Sequence, residues 1–560
     1  MTDLNKILYF FLLLSAYHYT YSQNINVEIE LIDSSINDLD HKVIKKNAVG
    51  FTELEDIVNI SLDSLKKQGY LSAKVKKTTK KDSFNYKSSI ELNQKFNNIY
   101  IYTKNKEISF KGKNTNTINN KRYYSIKINE LEEFLKVATK KIAKKGFPFN
   151  KIKLINIKKI KSGIYADLSI KLGNKRTIDK IKIKGYENFP KSFTKQYLKL
   201  LTKKTFDFEK IKAKSKKIND LGFVRQTKEP EILFKKDSTI TYLFLEKTNN
   251  NSFDGFIGFA SNEDTNKLEL NGYVNLKLSN ILNYGEEIKL EYKNTENEDK
   301  FLKTNIIAPF IINSPVGIEL SLNLTKKDTS YTKDEQSIGV NYITKNNHSI
   351  SLHLNYLNSV SNLTIVSQSI KDYNSKFKKI RYDFNIANNK NKLIPIKFLN
   401  RLELSFGQRK DNTGTKKQIK YKTKTYNNFK ATNKSSFYLN LETYALVSNN
   451  IYQNEMLLFG GINSIRGFEE NSIAANKLFM LNSEYRLTID NNIYINTILD
   501  TAYYEDSIGN IKDYIYGVGL GLNINTNSGV FKIAYANGIK KGEAIDLKLS
   551  KIHVSFSNQF

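Results

Sequence analysis

The sequence predicts three small α+β modules followed by an all-β transmembrane barrel of about 16 antiparallel strands. Three observations predict this order. A short apolar segment near the start has the layout of a secretory leader. A pattern of helix, glycine and strand then occurs three times before residue 249. From there to the C-terminal end, apolar and polar residues alternate with a period of two.

The leader segment carries Lys6, then an apolar run from Ile7 to Leu14, and then small and polar residues up to Ser22. This order is typical of a signal peptide, and the run is too short to cross a bilayer as a helix. A buried N-terminal helix is the alternative, but polar residues do not alternate with the apolar ones here. We therefore expect residues 1–22 to be a signal peptide and the mature chain to act outside the cytoplasm.

The composition narrows the classes of function. The chain contains no cysteine, which excludes disulfides, thiolate metal sites and thiol nucleophiles. Its net charge of +32 is uneven, because residues 24–248 carry 50 Lys and Arg against 25 Asp and Glu. This excess reflects either a compositional bias toward lysine or a surface that faces an anionic membrane or an acidic partner. Nucleic acid is not expected as a partner, because an exported chain shows no recognition motif for it.

Three predicted helices of the N-terminal region end at Gly69, Gly146 and Gly222, and each glycine is followed by an aromatic residue and a strand. Apolar residues such as Leu54 and Val58 precede the glycines at helical spacing. The recurrence about every 75 residues predicts three copies of one α+β module. Three unrelated turns that each use a C-terminal glycine are the alternative. The predicted modules span residues 23–104, 105–174 and 175–248.

Residues 249–560 are predicted to form the barrel. In residues 267–280, leucine and valine lie on one face, while lysine, glutamate and asparagine lie on the other. About 16 such segments follow one another, with long polar connections such as residues 410–428. This pattern favours a transmembrane barrel over a soluble solenoid or sandwich, because sandwich strands recur about every 8–12 residues.

The first and last strands of the barrel are predicted to pair and close it. Gly255 and Gly258 weaken the first strand, because glycine contributes no side-chain packing. The last strand carries Phe556 and the terminal Phe560, the aromatic end that outer-membrane barrels of Gram-negative bacteria display. We predict that this seam opens and offers strand edges to an incoming strand.

No catalytic residue, metal ligand or cofactor is expected. His348 and His353 are five residues apart on a predicted strand and therefore lie on opposite faces. The serine-hydrolase elbow and the phosphate-binding loop are absent from the sequence. His553 and Ser555 share a face of the last strand, but no third group completes a hydrolase triad.

The stretch GGINSIRGFEENSI, residues 460–473, differs from the alternating strands around it. If Arg466 enters the barrel, its charge needs hydrogen-bonded partners, because it has left water. Glu484 and Asp500 on the next two predicted strands are the candidates, since a guanidinium binds carboxylates in a bidentate way. The alternative is an Arg466 that stays solvated on an outer loop.

This stretch resembles the [VI]RG[FY] loop of the outer-membrane assembly barrels, the family that includes BamA, TamA and the two-partner secretion transporters. The matching residues are Ile465, Arg466, Gly467 and Phe468. The resemblance implies that the modules are POTRA domains in the periplasm and that the loop joins strands 11 and 12 of a barrel in the outer membrane. It also implies that Glu484 and Asp500 are the partners of Arg466.

The function that the resemblance implies is insertion of other outer-membrane proteins, as by a TamA-type or BamA-type factor. Its expected partners are outer-membrane lipids, unfolded outer-membrane or secreted proteins, and a periplasmic or inner-membrane protein that binds the basic modules. Two alternatives stay open. One is secretion of a soluble protein, as in two-partner secretion, and the other is a passive porin-like channel.

Overall fold

A computed structural model describes residues 24–32, 42–104, 115–118, 121–160, 163–262, 267–294, 299–345, 347–363, 367–388, 393–394, 396–526, 529–544 and 546–559. The predicted signal peptide and Phe560 lie outside these residues. The chain forms two compact units. The first comprises Met1–Thr177 with Thr205–Asp207, and the second comprises Ile178–Lys204 with Phe208–Phe560. No helix in the described part is long and apolar enough to cross a membrane.

The first module packs one helix on a four-stranded sheet. Its elements are β1 (Asn24–Ile32), β2 (Lys42–Val49), α1 (Phe51–Lys67), β3 (Lys74–Lys80) and β4 (Asn85–Glu91). The strand order is β2-β1-β4-β3. Helix α1 buries Leu54, Val58 and Leu65 in one core with Val27 and Ile29 of β1. The helical spacing of these apolar residues therefore produces the face that covers the sheet.

The second module has a five-stranded sheet in the order β6-β7-β5-β9-β8. Its elements are β5 (Asn98–Tyr102), β6 (Thr115–Ile118), β7 (Lys121–Lys127), α2 (Ile128–Ala143), β8 (Lys151–Ile160) and β9 (Gly163–Lys171). The predicted boundary between residues 104 and 105 is wrong, because β5 pairs with β7 and β9. Ile99 and Ile101 of β5 alternate into the core under α2, and this burial assigns the strand to the second sheet.

The third module belongs to the second unit. It contains β10 (Lys180–Lys184), α3 (Phe208–Lys216), β11 (Val224–Phe234) and β12 (Thr239–Lys247), with strand order β10-β12-β11. The predicted glycine stops are confirmed in all three modules. Gly69, Gly146 and Gly222 have φ of 111°, 98° and 77°, a region that glycine enters without a Cβ penalty.

Sixteen antiparallel strands close the barrel in chain order, which confirms the predicted fold class. They are β13 (Ser252–Asn262), β14 (Lys267–Ser279), β15 (Glu287–Asn294), β16 (Lys300–Ala308), β17 (Val316–Lys327), β18 (Tyr331–Lys345), β19 (His348–Ser361), β20 (Tyr373–Ala387), β21 (Ile396–Asp411), β22 (Gly414–Lys430), β23 (Ser435–Val447), β26 (Lys477–Thr488), β27 (Ile493–Asp506), β28 (Ile511–Asn525), β29 (Val530–Lys540) and β30 (Lys551–Gln559). A short hairpin, β24 (Leu457–Phe459) and β25 (Ile473–Ala475), lies between β23 and β26.

The strands place apolar residues outside and polar residues inside. On β19, Leu352 and Leu354 are each 60% exposed, whereas His353 between them is 3% exposed. Alternation of this kind is what a barrel in lipid requires, because its outer face meets hydrocarbon. His348 has the parity of the outer residues, so it faces away from His353 as predicted.

The predicted polar connection at residues 410–428 is wrong. Strand β21 continues to Asp411 and β22 begins at Gly414, so only two residues separate them. Gly414 has a φ of 118°, and the Asp411 carboxylate accepts hydrogen bonds from the backbone N–H and the hydroxyl of Thr413. The threonines and tyrosines of β22 favour a strand, and this propensity outweighs the high lysine content.

Candidate functional site

The loop between the eleventh and twelfth barrel strands, β23 and β26, folds back against the inner face of the barrel. It comprises residues 448–476 and includes the β24/β25 hairpin. Ile465 at its tip is fully buried, in one apolar cluster with Met480 of β26 and Ala502 of β27. Met480 and Ala502 lie on the face opposite the exposed Phe479 and Leu499. The tip therefore packs on the inner wall.

Two adjacent glycines form the turn that presents the arginine. Gly460 and Gly461 have φ of 118° and 94°. The N–H of Ser464 donates to the carbonyl of Gly461 at 3.1 Å, and the N–H of Gly461 donates to the carbonyl of Ile465 at 3.1 Å. The N–H of Gly460 also donates to the Ser464 hydroxyl at 3.2 Å. These bonds close the turn, so that Arg466 leaves it toward the barrel wall.

Arg466 makes a two-point contact with Asp500 of β27. Its Nε donates to Oδ2 at 2.8 Å, and its Nη2 donates to Oδ1 at 2.6 Å. The backbone N–H of Arg466 also donates to Oδ2 at 3.0 Å, so one carboxylate holds both the main chain and the side chain. Asp500 is fully buried and Arg466 is 8% exposed. A guanidinium and a carboxylate in this planar arrangement fix direction as well as charge.

Glu484 of β26 completes the charge balance. Its Oε1 accepts from Nη1 of Arg466 at 2.5 Å, and its Oε2 accepts from Nε of Arg486 at 2.7 Å. Arg486 in turn lies over the ring of Tyr438, at 4.1 Å from the centroid. Two arginines and two carboxylates thus form a neutral set inside the barrel, which lowers the cost of burying each charge. The structure brings Arg466, Glu484 and Asp500 together, whereas Arg486 was missed in the sequence.

Gly467 allows the loop to approach the wall at backbone distance. A Cβ on Gly538 of β29 would lie 2.7 Å from the carbonyl oxygen of Gly467. A Cβ on Gly517 of β28 would overlap the carbonyl oxygen of Arg466. Phe468 packs at the edge of the apolar cluster of Ile465. Glycines on both sides therefore permit a contact that larger residues would prevent.

A second buried arginine, which sequence reasoning missed, anchors the start of the loop. Arg409 of β21 is completely buried, and its guanidinium lies 3.8 Å from the centroid of the Tyr452 ring. Its Nη1 donates to Glu455 at 2.5 Å and to the carbonyl of Asn450 at 3.0 Å, while its Nε donates to Asp411 at 3.0 Å. The loop is thus attached at two places, and we name these the tip anchor (Arg466, Glu484, Asp500) and the base anchor (Arg409, Asp411, Glu455).

Further polar contacts support the base anchor. Nδ2 of Asn454 donates to the Ser359 hydroxyl at 2.9 Å and to the carbonyl of Lys371 at 2.8 Å. Nε2 of Gln418 donates to Glu455 at 2.6 Å. The sequence signal was weak: Arg409 and Asp411 are two residues apart and share a strand face, but Asp411 fell inside the predicted polar connection and Arg409 directly precedes it.

The seam between β13 and β30 is short. In the described part of the chain, two residue pairs join these strands, Ser252 with Gln559 and Phe253 with Asn558, whereas seven pairs join β29 and β30. Gly255 and Gly258 lie on β13 beyond the paired part and face Val274 and Asn271 of β14. Phe556 lies on β30 opposite Phe531 of β29, with ring centroids 4.3 Å apart. The fourth predicted seam residue, Phe560, lies outside the described residues.

Comparison with known proteins gives a family and several similar structures. Residues 280–560 match the Omp85 superfamily domain. CdiB from Escherichia coli has a TM-score of 0.51 at 12% identity, covering 91% of this chain and 97% of that chain. CdiB from Acinetobacter baumannii has a TM-score of 0.50 at 13% identity, covering 77% of this chain and 82% of that chain. BamA from Haemophilus ducreyi lacking POTRA domains 1–3 has a TM-score of 0.49 at 14% identity, covering 77% of this chain and 93% of that chain. At these identities the likenesses to the two CdiB structures show the fold alone. No curated protein sequence matches.

Proposed function

The chain belongs to the Omp85 superfamily, and on that premise we propose that it inserts other β-barrel proteins into the outer membrane at the seam between β13 and β30. The superfamily barrel indicates that the chain resides in the outer membrane. We further propose that the three modules are POTRA domains in the periplasm. Their outer strands accept segments of unfolded substrate by strand addition, and the basic surface binds a periplasmic or inner-membrane partner.

The short seam is the observation that carries this proposal. Strand β30 has nine residues, of which two pair with β13. The remaining backbone N–H and C=O groups along that edge are free to pair with a strand of a substrate. The substrate itself supplies the driving force, because its backbone groups reach the membrane already paired and its apolar faces enter lipid.

The tip anchor supports the same mechanism, because it holds the side of the seam that must stay in place. The loop packs on β26 to β28 through Arg466 and on β29 through Gly467. The exposed Lys551 of β30 also reaches Glu469 of the loop, with Nζ 3.0 Å from Oε1. With the C-terminal strands held from inside, β13 is the strand that moves away when the seam opens.

Secretion of a soluble protein is the second candidate, and a passive channel is the third. Both need a path through the lumen, so the loop would have to leave its two anchors. The buried charges of these anchors make such release costly, about 3–5 kcal/mol for each pair that loses a partner. This cost favours a mechanism at the seam over transport through the interior.

A disulfide across the seam tests the proposal. Because the chain contains no native cysteine, the two introduced thiols can pair within the chain only with each other. Ser252→Cys with Gln559→Cys joins a residue pair of β13 and β30. We expect other outer-membrane barrels to lose abundance and heat-modifiability in cells that depend on this variant, and a reductant to restore both. Lys277→Cys with Lys289→Cys, a pair across β14 and β15, is the matched control.

Two other outcomes would reject the proposal. Normal levels of every other barrel in the oxidised seam variant would show that the seam does not open in function. Selective accumulation of one soluble protein in the periplasm, with all barrels normal, would instead identify secretion.

A further inference from the structure

A cavity of about 500 Å³ lies between the third module and the module-side rim of the barrel, within the second unit. The module contributes three lysines to its lining, Lys199, Lys214 and Lys217. The barrel contributes His348 from the start of β19 and Phe384 and Ile386 from the end of β20. One wall is therefore cationic and the opposite wall is aromatic and apolar.

The apolar wall is part of the lipid-facing surface. On β20, Phe384 has the same parity as Ile380, which is 48% exposed, so both point outward. The rings of His348 and Phe384 stack with centroids 4.2 Å apart, and Phe384 also contacts Phe398 of β21 at 5.4 Å. Aromatic rings at the end of an apolar barrel surface mark the boundary between hydrocarbon and headgroups. The cavity therefore lies at headgroup level.

Asp220 lies close enough to Lys217 of the cationic wall for the two charges to interact. None of the three lysines forms an ion pair in the described part of the chain. Nζ of Lys199 donates to the carbonyl of Thr344 at 3.0 Å, which holds this ammonium group at the rim, and Nζ of Lys214 donates to the carbonyl of Lys199 within the module. Burial lowers the pKa of Lys214, and the charges of Lys210, Lys199 and Lys217 lower that pKa further. This clustered positive charge favours a bound anion.

We propose that this cavity binds an anionic phospholipid, with the lipid phosphate against Lys199, Lys214 and Lys217 and an acyl chain along Phe384 and Ile386. A free anion would leave the apolar wall unused, and an uncharged lipid would leave the lysines uncompensated. The site requires only that the barrel lies in a bilayer, so it does not depend on insertion activity. A lipid here joins the third module to the barrel rim and ties the module to the membrane surface.

Lipid binding to the purified full chain tests this site. Phosphatidylglycerol and phosphatidylcholine are added separately to the protein in detergent, and bound lipids are counted by native mass spectrometry. We expect phosphatidylglycerol to bind more tightly. Replacing the three lysines, K199Q with K214Q and K217Q, should weaken its binding on the order of 10- to 100-fold, because each lysine near an anionic headgroup contributes to affinity.

The matched control replaces the three exposed lysines of β10, K180Q with K182Q and K184Q, which removes the same charge from the same module. This control should bind phosphatidylglycerol like the unaltered chain. K217Q alone gives a second test, because no hydrogen bond of this side chain holds the rim in the described structure, and it should weaken binding severalfold.

Two results would overturn the assignment. Equal retention of phosphatidylglycerol by the unaltered chain, K217Q and the folded triple variant would remove the lysines from the site. Displacement of the lipid by inorganic phosphate, or by glycerophosphoglycerol without acyl chains, at the same concentration would show a site for a soluble anion only.

Discussion

Arg466 directs three of its hydrogen bonds to the single carboxylate of Asp500, one from the backbone and two from the guanidinium. Lysine carries the same charge but has no fork of donors that matches a carboxylate in plane. Glu484 accepts one hydrogen bond from Nη1 of Arg466 and one from Nε of Arg486, so each charge of the set has a partner of opposite sign. The residue at this position therefore sets both the position and the orientation of the loop tip.

Arg466→Lys should lower the stability of the folded barrel, because Asp500 stays buried without its bidentate partner. We expect a loss of about 3–5 kcal/mol for Arg466→Ala and a smaller loss for Arg466→Lys. The measurement is the temperature at which the folded band is lost in heat-modifiability gels. Lys551→Ala, which removes the exposed pair with Glu469, is the control and should cost no more than about 1 kcal/mol. An unchanged midpoint for both Arg466 variants would contradict the geometry of the tip anchor.

Gly517→Ala should displace the loop tip, because the new methyl group would overlap the carbonyl oxygen of Arg466. We expect a destabilisation of about 1–3 kcal/mol and faster proteolysis within residues 460–472. Gly509→Ala in the turn after β27 is the control, since the three atoms nearest to its Cβ belong to the side chains of Asp506, at 3.0 Å, and Ile511, at 3.2 and 3.3 Å, and none belongs to the backbone. Equal cleavage of the two variants would argue against backbone contact between loop and wall.

At the scale of elements, the loop of residues 448–476 is fastened to two separate parts of the wall. The base anchor attaches it to β21 through Arg409, and the tip anchor attaches it to β26 and β27 through Arg466. Strand β24 lies between the two anchors along the chain, and β25, which follows the tip, pairs with it. Each anchor contains a buried arginine with carboxylate partners, so neither end is free to move alone without exposing or stranding a charge.

Glu455→Ala should release the base of the loop while the tip stays bound, because Arg409 loses its carboxylate partner in the loop and keeps Asp411 of its own strand and the carbonyl of Asn450. We expect new proteolytic cleavage at residues 449–456 and continued protection of residues 460–472, read by mass spectrometry of the fragments. Glu470→Ala is the control, since this exposed carboxylate lies in the same loop outside both anchors. Simultaneous release of base and tip by Glu455→Ala would mean that the anchors act as one unit.

At the scale of the whole molecule, the seam is the part of the barrel with the fewest contacts. Two residue pairs join its strands, whereas the loop inside the barrel is held at two sites. The interior carries buried ion pairs, whereas β13 and β30 expose unpaired edges. Opening the seam therefore costs fewer contacts than emptying the lumen. An insertion factor needs the seam to open, whereas a channel needs the lumen to be empty.

Ionic conductance in planar bilayers checks that difference. We expect low conductance for the unaltered chain and an increase when both anchors are removed together by Arg466→Ala with Glu455→Ala. Each single variant should give a smaller increase, because one anchor still holds the loop inside. Large, steady conductance of the unaltered chain would support the passive channel.

Local patterns in the sequence were sufficient for much of the fold. The glycines at 69, 146 and 222 end helices because a positive φ is a property of the residue and its neighbours. The polar stretch at residues 410–428 misled, because its strands are recognised by Thr and Tyr alternation rather than by apolar content. The boundary at residue 104 was misplaced since the sheet that β5 joins depends on partners 20 to 70 residues away.

The sequence by itself determined the three helix ends, the two-residue period of the barrel and the arginine motif at residues 465–468, because each depends on local spacing. Only the tertiary structure decided that Arg409 meets Glu455, that β13 and β30 pair at two positions, and that three lysines face the lipid-exposed Phe384. The physical reason is that these contacts depend on the register and closure of strands far apart in the chain, which no local pattern encodes.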